Sequence, residues 1–190
     1  MKLFRHGGAR NRADRISDSL TAEQARKLIA AIGRAEKLSM PINRHIIVHW
    51  EAMGVPDSCA MAATTQWLKA YREWAGGRTA YVWTRENGDG KGSHLHMLAH
   101  LPAGKRWHGA RSRRWLTHIS GNPYKAGAIK THCIKGSQSP GSPVYVENLQ
   151  TVVAYILKGV SPDTAAALGI AHKPGGRIIG KRSGTSRNIG

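Results

Sequence analysis

The chain has 190 residues, 41% of them hydrophobic and 21% charged, which is the composition of a folded domain with its own core and excludes a disordered polymer. Lysine and arginine number 29 against 11 acids, a formal charge of +18. A charge this large selects a polyanion as partner, because neutralising phosphates releases condensed counterions.

The first 18 residues are basic and polar and read as a mobile or DNA-contacting arm; "MKLFRHGGARNRADR" has no apolar centre of the kind a signal peptide needs. Thr21 and Gln24 stand at capping-box spacing before "ARKLIAAIGRAEK", which predicts a helix that Pro41 closes. "RHIIVHW", residues 44 to 50, sets Ile46, Val48 and Trp50 on one face and His45, Ile47 and His49 on the other, the period of a strand. After "GVPDS", Asp57 or Ser58 is expected to cap a helix carrying Trp67, Leu68, Tyr71 and Trp74 inward until Gly76-Gly77 stops it.

Residues 79 to 86, "TAYVWTRE", and 93 to 101, "SHLHMLAHL", alternate like strands around the glycine-rich "NGDGKG", a β-hairpin. A symmetric loop places Glu86 across from His94 and Thr84 across from His96, with opposed Cβ atoms roughly 4.5–5.5 Å apart. The glutamate and both histidines are thus expected on one patch. Residues 103 to 145 read as basic, DNA-facing loops around one or two short elements. From Glu147 to Gly159, Leu149, Val152, Val153, Ile156 and Val160 form one helical stripe, and Tyr155 points about 130° away from it with Lys158 beside it. The tail from Ala171 shows no core pattern. The expected organisation is an arm at 1–18, one domain at 19–170 and a glycine-rich basic tail at 171–190. The fold class is α+β, a central antiparallel sheet of about five strands with flanking helices. Cys59 and Cys133 lie far apart outside any CxxC pair, so a reducing cytoplasm is the expected compartment, and no stretch approaches the roughly 18 apolar residues of a membrane span.

Glu86, His94 and His96 offer one oxygen and two imidazole nitrogens, a ligand set that leaves positions open on a divalent ion. A histidine-triad hydrolase would need a third histidine at position 98 and a metallo-β-lactamase-like site an aspartate there; Leu98 fits neither. The pattern of two histidines around a bulky apolar residue, with a tyrosine and lysine downstream in "YILK", resembles the HUH superfamily of single-strand DNA endonucleases, the rolling-circle replication initiators and relaxases. The resemblance spans about residues 42 to 160 and implies a replication-initiator-like, RRM-related fold. It further implies His94, His96 and Glu86 as ligands of Mg²⁺ or Mn²⁺, Tyr155 as nucleophile and Lys158 as its basic helper, in the single-tyrosine branch. Where many relatives carry hydroxyl residues in the first motif, this strand carries His45 and His49, which leaves open whether His49 tunes the metal site.

The chemistry implied is sequence-specific nicking and resealing of single-stranded DNA through a 5′-phosphotyrosine, starting rolling-circle replication of a plasmid or phage with a host helicase and polymerase. Trp83, Trp107, Trp115 and Tyr124, interleaved with Arg85, Lys105, Arg106, Arg111, Arg113, Arg114 and Lys125 and joined in the tail by Lys181 and Arg182, are residue types that stack bases and follow a backbone. Each has an ordinary reading as well: Trp83 as core, Glu86 as a hairpin-end carboxylate, Tyr155 as a surface tyrosine. Two alternatives stay open, a non-catalytic basic nucleic-acid-binding protein and a transposase of the same chemistry.

Overall fold

The computed structural model describes residues 15–88, 90 and 92–190. Along the chain run β1 (Ile16–Ser17), α1 (Ala22–Lys37), β2 (Arg44–His49), α2 (Asp57–Ala75), β3 (Tyr81–Gly88), β4 (Gly92–Ala99), α3 (Gly109–Ser120), β5 (Ile129–Cys133), α4 (Pro143–Leu157), α5 (Pro162–Leu168), β6 (Ile178–Ile179) and β7 (Ser183–Thr185). Five strands form one sheet in the order β5-β2-β4-β3-β7, every neighbouring pair antiparallel. β1 and β6 form a separate two-stranded ladder. The fold is therefore α+β, with helices on both faces of an antiparallel sheet.

Strand alternation divides the core in two. On one face, here the front, Val82 and Leu98 pack with Leu28, Ala31, Ile32 and Ala35 of α1 and with Ile156 and Leu157 of α4. On the back, Ile46, Val48, Trp83, Leu95 and Met97 pack with Trp67 and Tyr71 of α2 and Leu116 of α3. Trp67 and Tyr71 are both 0% exposed, and burying a large apolar side chain contributes about 1.5–3 kcal/mol.

Local signals explain most boundaries. At α1 the Gln24 backbone N–H donates to Thr21 Oγ1 at 3.1 Å and the Thr21 N–H to Gln24 Oε1 at 2.9 Å, a reciprocal capping box. Gly76 ends α2 in the left-handed region at φ 82°. Two helix starts differ from expectation. α2 begins with Pro56 in the N-cap position and no side-chain cap; Asp57 instead turns inward to bind Arg85, Ser93 and the Ile179 N–H. α4 starts four residues before Glu147, because Ser142 caps it through the Tyr145 N–H and Pro143 fits the first turn.

The largest difference lies in the tail. β7 pairs with β3 through Val82–Thr185, Trp83–Gly184 and Thr84–Ser183, and Ile178 and Ile189 are 0% and 1% exposed. The 171–190 segment is thus built into the fold. Two- and three-residue strands are too short to show periodicity, and glycine admits them: a Cβ on Gly184 would lie 2.8 Å from the Trp83 ring, and Gly176, at φ 66°, passes so close to Asn87 that a Cβ would overlap its carbonyl. Of the expected N-terminal arm, residues 1–14 lie outside the described residues, and Ile16–Ser17 pairs with β6. Among the described residues, no helix is long and apolar enough to cross a membrane.

Candidate metal centre

The hairpin register follows the expectation: Glu86 faces His94 and Thr84 faces His96 across β3–β4, and His49 faces His94 across β2–β4. All these side chains share the front face. Glu86 Oε2 lies 3.3 Å from His94 Nε2 and 3.6 Å from His96 Nε2. The three side chains are buried, and their ligand atoms lie within 4.8 Å of one another, a group able to hold a metal ion.

Hydrogen bonding fixes how these atoms are presented. His94 Nδ1 lies 2.9 Å from the Gly92 carbonyl, which only accepts, so Nδ1 carries the proton and the Nε2 lone pair faces Glu86. His96 Nε2 is buried with no hydrogen-bond partner. A carboxylate and imidazole nitrogens converging without enough protons between them make a poor resting arrangement by themselves and a good one around a cation. The donor set therefore fits a divalent ion with open positions.

Electrostatics agree with that reading. Burial alone would raise the Glu86 pKa, but the neighbouring His94 and His96 rings and the Lys158 ammonium hold it well below the carboxylate range. Burial first, opposed by Glu86, lowers the His96 pKa to about 4, so this imidazole is neutral at physiological pH. Lys158, the C-cap residue of α4, places Nζ 2.6 Å from both Glu86 oxygens.

Tyr155 stands over the same patch. It is 44% exposed, and its ring meets His96 edge-on at 5.2 Å and His45 at 5.9 Å between centroids. Lys158 Nζ lies 4.2 Å from the Tyr155 ring centroid. Burial, then the Glu86 charge, raise the pKa of the Tyr155 phenol. The ammonium bonds the carboxylate first, and the carboxylate's own field reaches the phenol.

The residues expected to touch DNA are not gathered here. Trp83 is 3% exposed in the back core, and Arg85, at 0%, has its Nη2 2.6 Å from Asp57 Oδ1. Arg182 is 2% exposed; its Nε donates to Ser17 Oγ and its Nη2 to the Ser17 and Gly176 carbonyls. These three are corrected from DNA contacts to structural residues, since alternation turned Trp83 and Arg85 inward and the folded tail enclosed Arg182. Lys181 is exposed, 5.8 Å from the Trp83 ring. Arg113 and Arg114 are exposed on α3 and Arg111 half-buried, all behind the sheet. Arg111 lies over Trp74 at 5.3 Å and Arg113 over Tyr124 at 5.2 Å. Trp107 and Trp115 belong to the back aromatic cluster, 5.5 Å from Trp74 and Trp67 respectively.

His49 stacks on His94 at 5.4 Å between centroids. Sequence reasoning passed over His45 as a site residue. It is 5% exposed, and its Nε2 lies 3.3 Å from His96 Nδ1. Its signal was the strand period, which already put His45 and His49 on one face; missing was the pairing that brought this face beside His94 and His96. No family model, no curated protein and no solved structure matches the chain, so what the site can do follows from its own side chains.

Proposed function

We propose that the chain is a metal-dependent single-strand DNA endonuclease and strand transferase of the HUH type, acting through Tyr155. The observation that carries this reading is the convergence of Glu86, His94 and His96 beneath a half-exposed tyrosine whose ring lies 5.2 Å from His96. A bound Mg²⁺ or Mn²⁺, held by these three residues, supplies charge neutralisation and orientation of a phosphodiester.

The chain's own groups do the rest. Tyr155 Oη forms a bond to phosphorus, the bond from phosphorus to the 3′-oxygen breaks, the phenol loses its proton and the departing 3′-oxygen gains one. The product is a 5′-phosphotyrosine with a free 3′-hydroxyl, and the same site run backwards reseals or transfers the strand. Lys158, with Nζ 2.6 Å from Glu86 and 4.2 Å from the Tyr155 ring centroid, supplies a positive charge beside the attacking residue.

Basic residues lie near the centre and behind the sheet where a strand could touch them. Lys125 leads from α3 to β5, the edge strand, where Lys130 and His132 are exposed on the front face and His132 lies 6.3 Å from His45. On the back, Trp74, Lys105, Arg106, His108 and Arg111 line an open groove of ≈ 380 Å³. A flexible single strand would reach such scattered basic and aromatic contacts more readily than a stiff duplex. The reading is tested by incubating the chain and Tyr155→Phe with Mn²⁺ and labelled single-stranded oligonucleotides tiled across the encoding replicon. A covalent protein–DNA band that the substitution and a chelator both abolish is expected. Binding without any adduct would instead make this a nucleic-acid-binding protein.

A further inference from the structure

We propose that His45 is a positioning residue for the metal centre: its Nε2 accepts a hydrogen bond from Nδ1–H of His96 and thereby holds the Nε2 lone pair of His96 toward Glu86 and His94. The inference rests on the metal-site reading and deepens it.

The His45–His96 contact joins two ring nitrogens 3.3 Å apart, and one of the two must carry the proton. If His45 were the donor, His96 would bear its proton on Nε2, facing Glu86. A donor facing a carboxylate closes to about 2.7–2.9 Å. His96 Nε2 stays 3.6 Å from Glu86 Oε2, is buried and has no hydrogen-bond partner, the spacing of two acceptors kept apart. The proton therefore sits on His96 Nδ1 and His45 receives it.

The surroundings hold His45 to this task. Its ring is 5% exposed and lies 5.5 Å from His96, 5.9 Å from Tyr155 and 6.3 Å from His132 between centroids. β2–β4 pairing places it diagonally beside His96, opposite Leu98. Both histidines of the β4 pair are thus oriented through Nδ1, His94 by the Gly92 carbonyl and His96 by a neighbouring imidazole. Such outer partners set the tautomer and ring orientation of a metal-bound histidine. An uncharged imidazole does so without adding a second negative charge beside Glu86.

Two measurements on the full chain test this. Nitrogen-detected NMR of the metal-free wild type reads the His96 tautomer directly, with Nδ1–H expected. Titration with Mn²⁺ alone then compares the wild type with His45→Gln, whose amide oxygen can replace the accepting Nε2, and with His45→Phe, which keeps the ring and removes the acceptor. The glutamine variant is expected to bind within about 3-fold of wild type and the phenylalanine variant about 10–100-fold more weakly. A proton on Nε2 of His96, or equal affinity in all three proteins, overturns the proposal. If His45→Phe does not fold, the wild-type tautomer and the His45→Gln affinity decide, a loss above about 10-fold in the latter counting against it. A wild type that binds no Mn²⁺ defeats the metal reading, while the tautomer still settles what His45 does.

Discussion

The two faces of the sheet use charge in opposite ways, although they share the same strands. Along β3, Trp83 and Arg85 point back while Thr84 and Glu86 point forward. On the back, Arg85 is joined to Asp57, whose other oxygen accepts from the Ile179 N–H and whose Oδ1 also accepts from Ser93 Oγ, so one buried ion pair ties α2, β3, β4 and β6 together. On the front, Glu86 meets Lys158, His94 and His96 around a single point; each face leaves buried polar atoms unbonded, His96 Nε2 and Thr84 Oγ1 in front and Trp67 Nε1 and Arg85 Nε behind. Charge on the back links four elements, whereas on the front it converges on a group that could hold a metal ion.

The widest gap between the faces should open on removing Arg85. Its side chain is 0% exposed and that of Asp57 15%, and breaking a buried pair by deleting one partner costs about 3–5 kcal/mol, because the other charge stays largely buried without its counter-ion. Arg85→Ala is therefore expected to lower Tm by about 10 °C or more, whereas Tyr155→Phe on the front leaves Tm nearly unchanged and removes the adduct. Thermal melts of the two variants side by side check this. A mild Arg85→Ala would mean that the back ion pair is not the clamp its hydrogen bonds describe.

A smaller effect separates binding from chemistry. Arg111, Arg113 and Arg114 lie on α3, behind the sheet from Tyr155. If they follow a DNA backbone, replacing all three with alanine removes about three phosphate contacts and reduces the slope of log K against log salt by about 2 for a single strand. Cleavage at saturating oligonucleotide should be unaffected. Fluorescence-anisotropy titrations at several salt concentrations measure the first, and single-turnover adduct formation the second. An unchanged slope would confine DNA contact to the front and the β5 edge.

How much of this the sequence revealed depended on the length over which a pattern repeats. The hairpin was legible because eight-residue strands alternate clearly around a glycine-rich turn, and the pairing of Glu86 with His94 followed from loop symmetry. Tyr155 and Lys158 were legible from helical spacing. Arg85 and Arg182 were misread because charge is usually a surface property, and only their tertiary partners, Asp57 and the Ser17 and Gly176 carbonyls, show otherwise. β7 was invisible because three residues carry no period and its anchor is the absence of a side chain at Gly184. His45 lay in plain view on its strand, but which strand would lie beside it depends on sheet order, which local sequence does not encode.

The smallest effect asks whether the front layer is as firmly packed beneath the site as the back. Each layer buries one tyrosine that donates to a backbone carbonyl: Tyr145 to Ile42 at 2.9 Å in front and Tyr71 to His100 at 2.7 Å behind. Burial pushes both phenols up to about 12, while an unfolded tyrosine ionises near 10. The folded state thus keeps protons that the unfolded state gives up, so both contributions are complete below about pH 10 and disappear as pH rises from 10 through 12. Tyr145→Phe and Tyr71→Phe should each cost about 1 kcal/mol at neutral pH, one hydrogen bond, and each should flatten the loss of stability between pH 10 and 12. Denaturant melts across that range compare the two. Equal flattening would mean that the front is open only at its Glu86–His94–His96 patch; flattening by Tyr71→Phe but not by Tyr145→Phe would mean that water reaches the front core and that the layer carrying the site is the looser one throughout.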